Sequence, residues 1–362
     1  MTNKTTKNAT SVIKNYGYTN QPPQKDGLTI GRVTELQRER YTIITEYGEV
    51  SATLKGAFYH NAEVRDDLPC VGDFVLLQHN PSGLSLIAEL LPRNTKFSRA
   101  DLTSRSFGHV KGNYEQVVAA NFDYVFIITS LNHDFNVNRI IRYLTQAKQS
   151  GGLPVIILTK ADLVEDFTPQ IAEITNIAPD TAVHAVSSHT GFGLAQLAEY
   201  LQPQKTAVFL GMSGVGKSSL INALMQDNVM QVQQIREDDS RGRHTTTHRQ
   251  LFMLPSGAMV IDTPGMRELG LYNAEDAIQD IFSDIENLFA QCKFSNCKHS
   301  TEPGCAVKSA LKSGKLTQQQ WQQYLTQKRE TKYLDDKTAY MHERREWAKS
   351  IAKFTRNKKR KK

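Results

Sequence analysis

From Gly211 to Ser219 the chain reads GMSGVGKSS, which satisfies the pattern G-x-x-x-x-G-K-[ST]. Such a run holds phosphate. Its glycines let backbone N–H groups converge on phosphate oxygens, with Gly211, Met212, Ser213, Gly214, Val215 and Gly216 forming the cradle. Lys217 can reach the β- and γ-phosphates, Ser218 can offer its hydroxyl to Mg²⁺, and Ser219 continues the turn. The strand-like TAVFL precedes the run and the helix-like SLINALM follows, so a helix N-terminus adds positive potential. A glycine-rich turn without a ligand is the alternative, and both flanks count against it.

A phosphate loop does not distinguish ATP from GTP. The base reader is sought in TKAD, Thr159, Lys160, Ala161 and Asp162, which ends the apolar run LPVIIL. Asp162 offers two carboxylate oxygens to the two adjacent N–H donors of guanine, whereas adenine presents an acceptor there and would leave the carboxylate unpaired. Lys160 can lie along base and ribose. Thr159 stands where an Asn is usual and keeps only a hydroxyl. By itself TKAD is a weak signal, since a strand often ends in such a turn. VSS, with Ser187 and Ser188, also ends a strand and resembles the element that closes over guanine. IDTPG supplies Asp262 as a strand-terminal acid for Mg²⁺ and Gly265 as an N–H donor to the γ-phosphate. RGRHTTTH, Arg241 to His248, lies where a first switch segment would carry a Mg²⁺-ligating threonine, and Thr246 is favoured over Thr245.

Strand-like runs YVFIITS, LPVIILT, TAVHAVS, TAVFLG and AMVID must position these groups, and helix-like segments alternate with them. That alternation predicts an α/β core with a mostly parallel, doubly wound sheet. The order TKAD, VSS, phosphate loop, HTTT, DTPG is a circular permutation of the usual guanine-nucleotide-binding order. A parallel sheet tolerates it, because the site depends on which strand tips meet. Upstream, five short β-prone runs from LTIGRV to LSLIAEL predict a small β-domain, an OB-like barrel or another of that size. Residues 1–26 are polar and read as a disordered arm, 27–97 as the barrel, 98–285 as a basic linker and the permuted core, and 286–362 as a metal-binding helical domain with a basic tail.

The chain has 362 residues, 39% hydrophobic and 22% charged, which fits a soluble globular protein of two or three domains. The opening MTNKTTKNAT has no apolar stretch of a signal peptide and no apolar run approaches the length of a membrane span, so the cytoplasm is the expected location, with no membrane crossed. A net charge of +7, gathered in FTRNKKRKK, points to a polyanionic partner, nucleic acid first and an acidic membrane surface second. In the tail, Trp347, Ile351 and Phe354 share one helical face with basic residues around it, as a docked solvated helix or as a phosphate-binding one. Three of the four cysteines fall in CKFSNCKHSTEPGC. Cys292, Cys297, His299 and Cys305 are spaced C-x4-C-x-H-x5-C and can close a tetrahedron around one structural Zn²⁺. Free thiols are the alternative; Cys70 is expected simply to be buried. Thr317 and Gln320 have capping-box spacing and open a helix with Trp321, Tyr324 and Leu325 on one face.

TKAD, GMSGVGKSS, GRHTTT, DTPG and CKFSNCKHSTEPGCAV together resemble the ribosome small-subunit-dependent GTPase A family, also called RsgA or YjeQ, over about Leu28 to Ala306. The resemblance implies an OB-fold, a permuted GTPase core and a zinc domain that dock on the small ribosomal subunit and its rRNA during late assembly. It also implies a GTP hydrolase, expected as a monomer, with nucleotide state controlling docking and release. Met266 follows DTPG where many GTPases carry a water-orienting Gln. A thioether cannot orient water, so hydrolysis is expected to be slow alone and stimulated by the subunit, with His244 the catalytic candidate and a surface histidine its alternative. The rival reading is an RNA-binding scaffold with a structural nucleotide and vestigial hydrolysis. A metabolic kinase is disfavoured by TKAD.

Overall fold

The computed structural model describes residues 12–21, 23–37, 39–56, 58, 65–100, 115–132, 135–227, 249–262 and 274–335. They belong to two compact units, Met1–Leu269 and Gly270–Lys362.

In the first unit, β1 (Thr29–Gln37), β2 (Arg40–Thr45), β3 (Gly48–Leu54), β4 (Phe74–Gln78) and β5 (Ser85–Leu90) run in the order β1-β2-β3-β5-β4. A β1–β4 pairing closes them into a barrel. β2 alternates buried and less buried positions, which puts Tyr41 and Ile43 inside with Val33, Ala52, Val75, Leu77 and Ile87.

Two expectations need correction. Residues 1–26 are not an unstructured arm throughout: residues 12–15 are helical, Ile13 is buried against Ile30, Phe74, Leu76 and Leu91, and Tyr18 packs on the Phe74 ring. A few apolar side chains set in a polar stretch suffice to dock it. The linker expected from residue 98 is also partly a strand. β6 (Lys96–Ala100) pairs antiparallel with β7 (Glu115–Ala120), and buried Phe97 stacks on Phe122 at 5.2 Å. Its partner supplies the pattern that so short and mixed a run does not show alone.

The sheet continues through β8 (Tyr124–Ser130), β9 (Leu153–Thr159), β10 (Ala182–Ala185), β11 (Thr206–Leu210), β12 (Arg249–Met253) and β13 (Met259–Asp262). The order is β10-β9-β8-β11-β13-β12, followed by β1 of the barrel. Pairings from β10 to β13 are parallel, whereas β12 joins β13 and β1 antiparallel. β11 is buried at every position and β8 at all but its first, as expected of strands covered on both faces. The helices are α1 (Val137–Ser150), α2 (Thr168–Ile177) and α3 (Lys217–Met225). Asn136 caps α1 by accepting from the Arg139 N–H, and Gly151 ends it at φ 83°.

Arg32 on β1 is fully buried among groups from distant parts of this unit. It donates to the carbonyls of Gly72, Tyr16 and Asn121 and to Thr206 Oγ1, and it lies over the Phe74 ring. Burial lowers its pKa to about 10, against the pull of Asp123 and Asp73, and it stays charged at neutral pH.

The second unit holds α4 (Glu275–Ile281), α5 (Ser283–Phe289), α6 (Ala306–Ser313) and α7 (Gln318–Asp335). The capping box is present: Gln320 N–H donates to Thr317 Oγ1 at 3.1 Å, and Thr317 N–H to Gln320 Oε1 at 3.0 Å. Trp321 and Tyr324 are buried, and Leu325 is half-buried. The tail helix expected around Trp347 lies outside the described residues. No helix among the described residues is long and apolar enough to cross a membrane.

Candidate nucleotide site and metal centre

Parallel pairing sets the carboxyl ends of β8, β9, β11 and β13 along one edge. Ser130 stands beside Thr159, and Phe209 beside Asp262. Ligands of doubly wound sheets bind at such an edge.

The phosphate loop spans the turn from Leu210 to Lys217. A Cβ on Gly211 would lie 2.4 Å from the Ile128 carbonyl oxygen, so the loop can leave β11 this close to β8 only with glycine there. Gly216 has φ 98° and opens α3. Lys217 Nζ donates to the carbonyls of Gly211 at 2.7 Å and Met212 at 2.6 Å, which folds its ammonium back over the loop. Val215 is buried, Ser213 is exposed, and Ser218 and Ser219 are half-buried in the first turn of α3. The N–H groups at the start of a helix and a lysine beside them suit an anion.

TKAD begins at Thr159, the last residue of β9. Lys160 takes the left-handed conformation at φ 60°, which reverses the chain. The Ala161 N–H donates to the Val186 carbonyl at 3.1 Å and ties this loop to VSS. Asp162 and half-buried Lys160 face solvent. Thr159 is buried, and its hydroxyl bonds the carbonyls of Val215 and Thr129. Ser187 is buried too. Its Oγ accepts from the N–H groups of His189 and Thr190 at 3.2 and 3.1 Å and so shapes its own loop, while Ser188 is half-exposed.

Asp262 ends β13 and is buried. His244, Thr246, Gly265 and Met266 lie outside the described residues.

In the second unit, the metal-ligand atoms of Cys292, Cys297, His299 and Cys305 lie within 4.8 Å of one another. His299 Nδ1 is 3.6 Å from both Cys292 Sγ and Cys305 Sγ. Tetrahedral Zn–S and Zn–N bonds place such atoms about 3.5 Å apart, so the donor set fits a closed four-ligand site. Desolvation pushes the Cys297 thiol up to about 11, with its neighbouring thiols adding to the shift. Desolvation also opposes ionisation of Cys292, but N–H groups of Ala306 and Val307 outweigh it and lower that pKa. Burial lowers the pKa of His299, which keeps the imidazole neutral and able to ligate.

Two groups around this cluster escaped the sequence reading. His299 stacks on Phe289 at 4.2 Å and meets the edge of Trp321 at 5.9 Å, so the candidate ligand also packs in the aromatic cluster of the helical unit. Glu302 accepts the N–H groups of Lys298, Ser300 and Thr301 and holds the knuckle between Cys297 and Cys305. A carboxylate three residues before a cysteine carries no signal of that role.

The family model described as RsgA GTPase matches residues 90–272. Small ribosomal subunit biogenesis GTPase RsgA 2 of Listeria monocytogenes serotype 4b (strain F2365) is 46% identical over 325 residues, 89% of this chain and 90% of that protein. RsgA 2 of Lactiplantibacillus plantarum (strain ATCC BAA-793 / NCIMB 8826 / WCFS1) is 41% identical over 310 residues, 86% and 85% of the two chains. The crystal structure of YjeQ from Thermotoga maritima superposes with a TM-score of 0.57 at 26% identity, covering 83% of this chain and 96% of that one. YloQ, titled a circularly permuted GTPase, gives 0.53 at 23% identity over 85% and 96%, a likeness of fold. With a base-loop candidate that precedes the phosphate loop in sequence and touches it in space, this chain belongs to the RsgA GTPase family.

Proposed function

We propose that this GTPase binds the small ribosomal subunit and its rRNA, hydrolyses GTP to GDP and phosphate during late subunit assembly, and uses nucleotide state to control docking and release. The names of its relatives support the partner. The observation that most supports the site is the hydrogen bond from the Thr159 hydroxyl to the Val215 carbonyl, which puts the proposed base reader against the phosphate loop.

In this reading the turn from Gly211 to Ser219 cradles the phosphates, Lys160 and Asp162 read guanine, and Ser187 and Ser188 belong to the loop that closes over it. Ser218, Asp262 and Thr246 would hold Mg²⁺, which supplies charge neutralisation at the phosphates when bound. Water attacks the γ-phosphorus as its bond to the bridging oxygen breaks, and Lys217 with the loop N–H groups and that of Gly265 meets the growing negative charge. His244 orients the water, because Met266 cannot. Zn²⁺ is the metal that the Cys3His donor set suits, and it would be structural, since all four positions are protein ligands. The working unit is a cytoplasmic monomer: a barrel at 27–97, a permuted GTPase region at 98–285 and a zinc domain with its tail at 286–362.

GTP turnover with and without purified small subunits tests this reading. Strong stimulation is expected; equal rates would count against subunit-dependent catalysis.

A further inference from the structure

We propose that His184 is a positioning residue for base selection, whose imidazole fixes the stem of the VSS loop without itself touching the base. The inference rests on the reading of TKAD and VSS as the loops that hold guanine.

β10 stands at the edge of the sheet, paired with β9. Side chains of a strand alternate between its faces, so Ala182, His184 and Val186 share one. That face is apolar around the histidine: Val186 and Leu197 belong to one buried core with Phe126 and Phe209, and Ala182, Leu194 and Tyr200 pack against it. Both ring nitrogens of His184 have partners there. Nδ1 lies 3.0 Å from Gln196 Oε1, in the 3-10 turn Leu194–Glu199, and Nε2 lies 2.9 Å from the Tyr200 hydroxyl. The Tyr200 ring in turn stands edge-on to Tyr124 and Phe126 of β8 at 5.3 and 5.9 Å. One side chain of β10 thus grips the segment to which the VSS loop returns.

Residues 186–193 run between the two sides of this grip, and their backbone closes on itself. The Ser187 N–H donates to the Phe192 carbonyl at 2.9 Å, and a Cβ on Gly193, which has φ 73°, would lie 2.1 Å from the Ala185 carbonyl oxygen. A loop closed in this way shifts as one piece, so its angle to the sheet is set at its stem. The Val186 carbonyl accepts the Ala161 N–H, which passes that angle to the residue between Lys160 and Asp162.

Sheet order confines the effect. β9 and β8 stand between β10 and β11, the strand that feeds the phosphate loop. A loosened stem should therefore displace the base loops and leave the phosphate half in place.

Binding of GDP and ADP is measured for the unaltered full-length protein, for His184→Ala and for Tyr200→Phe, which keeps the ring against Tyr124 and Phe126 and removes only the hydroxyl. Losing the two hydrogen bonds of His184 should weaken GDP about tenfold and leave ADP unchanged, so the ratio of GDP to ADP affinity falls about tenfold. Tyr200→Phe, which loses one of them, should lower that ratio about threefold. A residue that merely held the fold together would weaken both nucleotides alike, so an unchanged ratio in His184→Ala would overturn the inference. If that variant does not fold, an unchanged ratio in Tyr200→Phe overturns it instead. Binding of GDP and ADP with equal affinity by the unaltered protein would overturn the base-site reading and this inference with it, whereas a preference that survives both substitutions would overturn this inference alone.

Discussion

Glu35 of barrel strand β1 is the direct partner of Gln250 on β12, and Gln250 in turn stands opposite Asp262 at the end of β13. The barrel is therefore an extension of the sheet that carries the nucleotide site. If the first unit unfolds cooperatively, ligand binding stabilises all of it by the same free energy. Added GDP should slow amide hydrogen exchange in β2 and β3 as well as in β8 and β11. Protection confined to residues 115–262 would show that the barrel opens independently.

Arg32 joins four segments of the same unit, and removing it strands several buried carbonyls. Arg32→Met should lower stability by about 3–5 kcal/mol, the cost typical of breaking a buried charged network. It should also make residues 12–21 sensitive to protease, since the Tyr16 carbonyl loses its donor. Urea unfolding combined with limited proteolysis tests both parts. A loss below about 1 kcal/mol would mean that packing, not the guanidinium, holds the junction.

Asp162 is exposed at the end of TKAD, the proposed base loop. GTP and GDP should bind well and ATP poorly, and Asp162→Asn should remove the preference, since an amide cannot accept from both donors. Competition binding with ATP measures this. A preference that survives the substitution would move the base reader elsewhere.

If the Cys3His cluster holds its metal as proposed, removing that metal should unfold the second unit and leave nucleotide binding intact, because His299 is also stacked on Phe289 and against Trp321. Tryptophan emission and GDP affinity, followed together during chelation, separate the two units. The Glu302 carboxylate is lowered to about 2 by its own N–H and those of Lys298 and Ser300. Its contribution is therefore present above the ordinary carboxylate range and is lost as pH falls toward about 2. Glu302→Gln should weaken metal binding about tenfold at neutral pH, because the knuckle N–H groups of Lys298, Ser300 and Thr301 lose a charged acceptor. Unchanged affinity in a chelator competition would make Glu302 incidental.

The elements read directly from sequence are those whose residues satisfy a local rule. β8, β9 and β11 are continuous apolar runs, and the phosphate loop needs glycines and lysine in a fixed order. β6 and β12 are short and mixed, and only pairing with β7, β13 and β1 makes them strands. Arg32 was invisible because arginine is ordinarily a surface residue; nothing local reveals that distant carbonyls converge on it. The metal ligands showed in their spacing, whereas the Phe289 and Trp321 rings around His299 are a product of helix packing. That the Thr159 hydroxyl meets the Val215 carbonyl is likewise a product of packing, which residue type does not fix.

The most direct test of subunit-dependent switching is co-sedimentation of the full-length chain with purified small ribosomal subunits, with a non-hydrolysable GTP analogue or with GDP, over a range of salt. The account predicts tight binding in the analogue-bound form, weak binding with GDP, and affinity that falls steeply as salt rises, since phosphates would supply most of the contacts. Equal sedimentation of the two nucleotide forms would contradict it.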